Sequence, residues 1–241
     1  MISGEQVYLP ELDQGQEHIS ITDREYHHLI KVRRFVVGDA IWAVNGKGLA
    51  AFCRIEAISN DSAELGISKI ESHRGELPRH LTLAIANLKG DHLDLVVEKA
   101  TELGVHEIIP LMTDRTIKKG LKQERLKRIA VSAMKQSRRS RLPAIHPLTS
   151  FQEMVSSRQD AYHLFCHADE SSVELTVNKE LKKQRNLTVL IGPEGDWSKD
   201  EIDLASNSDY TFTGLGPRRL RAETAAIHAV GLLSALLQDP A

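Results

Sequence analysis

The chain has 241 residues, 41% hydrophobic and 27% charged, enough for one large or two modest buried cores. No apolar run reaches the roughly 18 residues a membrane helix needs, and the opening MISGEQVYLPELDQ has neither a basic nor an apolar leader region, so a cytoplasmic protein with no membrane partner is expected. The net charge of −2 conceals an asymmetry: eleven bases and one acid, Glu124, lie between Arg115 and Arg141, a local balance of +10 against −12 for the remainder.

In chain order, TDREYHHLIKVRR (22–34) reads as the one helical segment of a β-rich opening region. DAIWAV and LAAFCRIEAI flank NGKG (45–48), and an Asn-Gly step between two strand-like runs predicts a hairpin. SAELGISKI (62–70) continues as a strand, so residues 1–72 form a small barrel or sandwich, followed by a polar linker, ESHRGELPR, that leads into residues 73–241. There strands and helices alternate. HLTLAIA is a strand; DHLDLVVEKATELG is a helix with Leu93, Val96, Val97, Ala100 and Leu103 on one face and Gly104 capping its end; VHEIIPLM is the next strand.

The basic segment that follows is a helix with Leu126, Ile129, Ala130, Ala133 and Met134 inward, and its self-repelling charge points to a polyanionic partner over a merely solvated face. AYHLFCH, LTVLI and DYTFTGL are further strands, and AETAAIHAVGLLSALLQ is a terminal helix. Alternation of this kind implies an α/β fold with a mostly parallel sheet covered by helices on both faces.

Ligands of parallel sheets sit at the carboxyl ends of strands, which directs attention to two loops. In TVLIGPEGDWSKDE (188–201) a buried strand stops on Gly192, Pro193, Glu194 and Gly195, and Ser198 with Glu201 forms a capping box that starts a helix. The bare glycines suit either a flat ligand against the main chain or a tight structural turn. In GLGPRRLRAETAA (214–226) another strand passes to a helix through glycines, with Arg218, Arg219 and Arg221 beside Glu223 and Thr224. These side chains suit an anionic substrate, or simply cap the helix.

Several chemistries are disfavoured. GLGPRR has Arg219 where a dinucleotide fingerprint needs its third glycine, and no GxxxxGK[ST] occurs, which speaks against a dehydrogenase or nucleotidase. Cys53 and Cys166 are distant and outside any CxxC, so they read as buried thiols. His163 and His167 alternate with Cys166 on a strand, so no metal is expected there, and His228 reads as a core histidine.

Taken together, LIGPEG followed by LGPRRLRAETA resembles the paired cofactor loops of the RsmE family, the 16S ribosomal RNA uridine-N3 methyltransferases of the SPOUT class. HHLIKVRRFVVGD, EKATELGVHEIIP and KQSRRSRLP are similar to further family elements and match Arg34, Gln136, Arg139 and Pro143 to them. Asp196 and Trp197 stand where the family usually has Gly-Phe, Arg219 replaces an apolar residue, and Asn45 often reads as Asp.

The resemblance implies a PUA-like β-barrel at 1–72 that docks RNA, and at 73–241 a SPOUT sheet with a C-terminal trefoil knot. It implies S-adenosylmethionine held by Leu190, Ile191, Gly192, Pro193, Glu194, Gly195, Leu215, Gly216, Leu220 and Thr224. It makes Arg221 and Glu223 the catalytic candidates, and Arg34, Arg138, Arg139 and Arg141 the RNA-binding ones, with Lys118, Lys119, Lys122 and Arg125 behind them. The implied partners are the small ribosomal subunit and a second copy of the chain; the apolar terminal helix suits burial in such a dimer interface or equally within one subunit. Methylation of another RNA and a non-catalytic RNA-binding role in assembly are the competing expectations.

Overall fold

The structure is a computed structural model and describes residues 4–117, 120–157, 161–167 and 172–238. The chain divides into two compact units. The first comprises 1–76 with 131–142, and the second 77–130 with 143–241.

In the first unit, strands β1 (Gln6–Tyr8) and β2 (His18–Ile21) precede a short helix α1 (Asp23–Tyr26) that widens into a π-type turn over His27–Val32. Strands β3 (Ala40–Val44), β4 (Leu49–Ile58) and β5 (Ala63–Ser72) follow. They form one five-stranded sheet in the order β1-β3-β4-β5-β2, so the sandwich alternative is set aside. The predicted hairpin is present: β3 and β4 pair antiparallel around Asn45-Gly46-Lys47-Gly48. Asn45 explains the turn. Its carboxamide oxygen accepts from the N–H groups of Lys47 and Leu49 at 2.8 and 3.1 Å, and Gly46 and Gly48 take the positive φ values of 72° and 105° that the tight return needs. Alternate residues of the sheet bury Val7, Ile19, Ile21, Ile41, Cys53, Ile55 and Leu65 around Tyr26 and Leu29.

The return of 131–142 to this unit differs from a single expected boundary at residue 72, and the reason is a buried ion pair. Arg139, 1% exposed, donates to Glu76 at 2.6 Å, while the backbone N–H groups of Ser140 and Arg141 donate to the other oxygen of Glu76 and Gln6 donates to the Arg139 carbonyl. Met134 also packs among Trp42, Val44 and Ala50.

In the second unit, β6 (His80–Ala86), α2 (His92–Glu102), β7 (Glu107–Met112) and α3 (Gln123–Gln136, which ends in the first unit) lead to the short strands β8 (Ala144–Ile145) and β9 (Thr149–Ser150). Then come α4 (Phe151–Ser157), β10 (Tyr162–Cys166), β11 (Val173–Glu174), β12 (Asn186–Ile191), α5 (Lys199–Ser206), β13 (Thr211–Gly214) and α6 (Ala222–Leu236). The sheet runs β11-β13-β10-β12-β6-β7-β8, with β9 on β7, and every pairing is parallel.

The register Phe165↔Leu190↔Ala84↔Ile109 puts these side chains on one face, where Phe151 and Met154 of α4 and Ala205 of α5 cover them. On the other face α6 packs on β6, β12 and α2. Strands buried on both sides explain why HLTLAIA and LTVLI are continuous apolar runs. Among the described residues no helix is long and apolar enough to cross a membrane.

Candidate functional site

After β6 the chain turns to β7 on one side, whereas after β12 it travels to β13 on the other. The carboxyl ends of these adjacent strands therefore mark a topological switch point, where the two departing loops leave a crevice. The loop after β12 is the predicted GPEGDW segment.

That loop is heavily braced. The Asp196 N–H donates to the Pro193 carbonyl at 2.9 Å, closing a turn over Glu194 and Gly195. Asp196 adopts φ 65°, a left-handed conformation in which Asp is tolerated, and its carboxylate accepts from the Trp197 N–H at 2.8 Å and lies 3.5 Å from His167 Nδ1. The capping box is present, with Ser198 and Glu201 exchanging hydrogen bonds. The loop after β7 fastens the same segment: Arg115 donates to the Gly195 carbonyl at 2.6 Å, Asp114 N–H donates to Glu201 at 2.9 Å, and the Ser198 hydroxyl donates to Asp114 at 2.5 Å.

Gly192 departs from the expected role of a bare surface for a ligand. A Cβ there would lie 2.9 Å from the Trp197 indole, so the missing side chain makes room for that ring, which donates to the Cys166 carbonyl at 3.1 Å. Leu190 and Ile191 are buried, and the Leu190 side chain packs in the core. What these residues offer a ligand is main chain.

The second loop, 215–221, is the opposite. Gly216 takes φ 98° with nothing within 4 Å of a built Cβ, and Arg218, Arg219 and Arg221 are exposed. Arg221 is the N-cap of α6, and Glu223 lies in the first turn, 9% exposed. A carboxylate there is favoured by the positive end of the helix. Its Oε1 lies 3.2 Å from Nδ1 of His92, the first residue of α2.

Glu194, Leu220, Arg221 and Glu223 thus line one cleft of about 420 Å³ with His92, Arg219 and Ala222. That volume is within the range of small-molecule sites, about 300–1,000 Å³. Leu190, Ile191, Gly192, Pro193, Gly195, Leu215, Gly216 and Thr224 are not among its lining side chains. Thr224 is exposed, and so is His228, against its expected place in the core, because the buried stripe of α6 runs through Ala222, Glu223, Ala226, Ala229, Val230 and Leu233 instead.

The basic segment is less free than its local charge count implies. Arg125 is paired with Asp94 at 2.6 Å and Asp91 at 3.3 Å, Lys135 with Glu25 at 2.8 Å, and Arg139 with Glu76. Arg139 is therefore corrected from an RNA contact to a buried structural residue. Arg34 and Arg138 remain exposed in the first unit, both at positive φ of 59° and 60°, and Arg141 is half-buried. Lys122 is exposed, while Lys118 and Lys119 lie outside the described residues.

His92 lies outside every stretch singled out for binding or catalysis, whereas Trp197 and Arg115 lie within the 188–201 loop and the basic segment without having been assigned their bracing roles. Burial pushes the thiols of Cys53 and Cys166 up to about 12, although only Cys53 is buried as expected and Cys166 is half-buried. His163 stacks on Tyr210 at 4.4 Å, and the described residues hold no cluster of His, Cys, Asp and Glu able to bind a metal.

Comparison with known proteins matches residues 75–234 to an RNA methyltransferase domain and residues 21–68 to an RNA methyltransferase PUA domain. The ribosomal RNA small subunit methyltransferase E of Bacillus subtilis (strain 168) is 33% identical over 227 residues, 89% of each chain. Its namesake from Synechocystis sp. is 34% identical over 230 residues, 92% of this chain and 74% of the other. Among solved structures, the ribosomal RNA small subunit methyltransferase E of Neisseria gonorrhoeae bound to S-adenosyl methionine superposes with a TM-score of 0.87 at 27% identity, covering 96% of this chain and 97% of that one. A putative methyltransferase of Legionella pneumophila in complex with the same cofactor gives 0.84 at 27% identity over 97% and 98%.

Proposed function

Since the chain belongs to the ribosomal RNA small subunit methyltransferase E family, we propose that it methylates N3 of a uridine in 16S ribosomal RNA, using S-adenosylmethionine, in the cytoplasm. The observation that carries this reading is the cleft itself. It lies at the switch point of a parallel sheet and brings Glu194, Arg221 and Glu223 together from two separate strand-end loops.

The residues present fit the cofactor. The turn over 193–196 and the open backbone at Gly216 offer N–H and C=O groups to an adenosine, and Leu220 offers apolar contact. When bound, S-adenosylmethionine supplies an electrophilic methyl group. Uridine N3 carries a proton at neutral pH and faces inward in a base pair, so the base has to be splayed out and deprotonated. As the proton leaves, negative charge spreads onto O2 and O4. The guanidinium of Arg221, the N-cap residue of α6, stabilises that charge where it develops, and the Glu223 carboxylate takes the proton.

Exposed Arg34 and Arg138, with Arg141, bind the RNA backbone from the first unit, each phosphate contact steepening the log–log salt dependence by about one unit. The C-terminal segment from β12 to α6 forms the trefoil knot of the SPOUT class. A homodimer forms through α6, whose outward row of Ile227, His228, Gly231, Leu232 and Ala235 is mainly apolar and only partly covered.

The test is to incubate the protein with labelled S-adenosylmethionine and unmodified small ribosomal subunits, then map the label by reverse transcription, which a methyl on the pairing edge halts. A single stop at one uridine is expected. Absence of label on subunits and on naked 16S RNA, with cofactor binding intact, would overturn the substrate and favour a non-catalytic binder or another RNA.

A further inference from the structure

Two helix N-termini converge on the candidate cleft. His92 is the first residue of α2 and Glu223 the second of α6, and their side chains meet at 3.2 Å between Nδ1 and Oε1. The start of α2 is itself anchored, because Arg125 binds Asp94 at 2.6 Å and Asp91 at 3.3 Å. The imidazole is thus delivered by a fixed element.

The exposures of the pair differ. The Glu223 side chain is 11% exposed and that of His92 45%. A carboxylate so nearly buried needs a polar partner to hold it in place. Among the described residues His92 is its one side-chain partner, and it engages only Oε1. Oε2 is left to face whatever enters the cleft.

We propose that His92 is a positioning residue for methyl transfer: its imidazole, 3.2 Å from Oε1 of Glu223, keeps that carboxylate oriented so that Oε2 receives the proton of uridine N3. This rests on the reading of the site as a uridine-N3 methyltransferase. The N3–H bond breaks, its proton passes to Oε2, and the electron pair remains on N3. That pair forms the new N–C bond as the methyl–sulfur bond breaks with its electrons passing to sulfur. Arg221, Arg219 and Glu194 line the same cleft. Those guanidinium groups act on charge; the imidazole adds direction, since it fixes which oxygen points inward.

The experiment compares wild type, His92→Ala, His92→Gln and the pair Glu223→Gln with and without His92→Ala. It measures S-adenosylmethionine affinity by calorimetry and methyl transfer to small-subunit RNA at saturating cofactor. His92→Ala is expected to lower kcat by about tenfold to a hundredfold with cofactor affinity and KM unchanged, the cost of a misplaced proton acceptor. His92→Gln, whose amide can contact the same carboxylate oxygen, regains most of that loss. In the Glu223→Gln background, removing His92 costs nothing further. A His92→Ala enzyme within twofold of wild type, one that loses cofactor affinity in parallel with rate, or full additivity with Glu223→Gln would overturn the positioning role. Wild-type protein that binds cofactor and transfers no methyl would overturn the functional reading beneath it.

Discussion

The two loops of the candidate site sit at the same end of one sheet and share a glycine-rich composition, yet they are held in opposite ways. The loop after β12 is tied by its own turn, by the Ser198–Glu201 capping box, by the Trp197 ring beneath Gly192, and by Arg115 and Asp114 from the loop after β7. In the loop after β13, Gly216 sits in open space and the three arginines are exposed. A braced loop can present a fixed main-chain edge. An open loop rich in guanidinium groups can bring charge to a reacting base. The comparison teaches that glycine alone does not define a ligand surface; its neighbours decide whether the vacant Cβ position is filled by protein or left for something else.

The contrast can be sharpened by substitution. Gly192→Ala should have the largest stability effect, about 1–3 kcal/mol, because its Cβ would meet a buried, flat indole with nowhere to retreat. Urea denaturation should show the lower midpoint, and cofactor affinity should fall with it. Gly216→Ala meets no atoms, so only its positive φ is penalised, by about 1–2 kcal/mol, and the same denaturation series should separate the two glycines. Ser198→Ala removes the cap of α5 and a contact to Asp114, costing about 1 kcal/mol. An equal response of both glycine variants would break the comparison.

Much of the fold was legible because the governing signals are local. Continuous apolar runs separated by amphipathic helices announce a parallel sheet, and Asn-Gly announces the hairpin that Asn45 closes with its own carboxamide. The capping box was legible for the same reason. What was not legible depends on residues distant in sequence. Counting charge along 115–141 could not reveal that Glu25, Glu76, Asp91 and Asp94 neutralise Lys135, Arg139 and Arg125, so a buried arginine passed for an RNA contact. His92 was invisible because it joins Glu223 only when the starts of α2 and α6, more than a hundred residues apart in sequence, pack together. His228 was misplaced because an almost wholly apolar helix has no periodicity to say which face is buried.

The central claim is a division of labour, in which the braced loop, with the main chain at Gly216, holds the cofactor and the arginines of the open loop do chemistry. The most direct test is Arg221→Ala, measured for S-adenosylmethionine affinity and for single-turnover methyl transfer in the same preparation. The account predicts affinity within about threefold of wild type and a rate lower by about 10²–10³, the usual effect of removing one donor from a developing anion. Loss of affinity matching the loss of rate would contradict it, placing Arg221 in cofactor binding and leaving the chemistry to other groups.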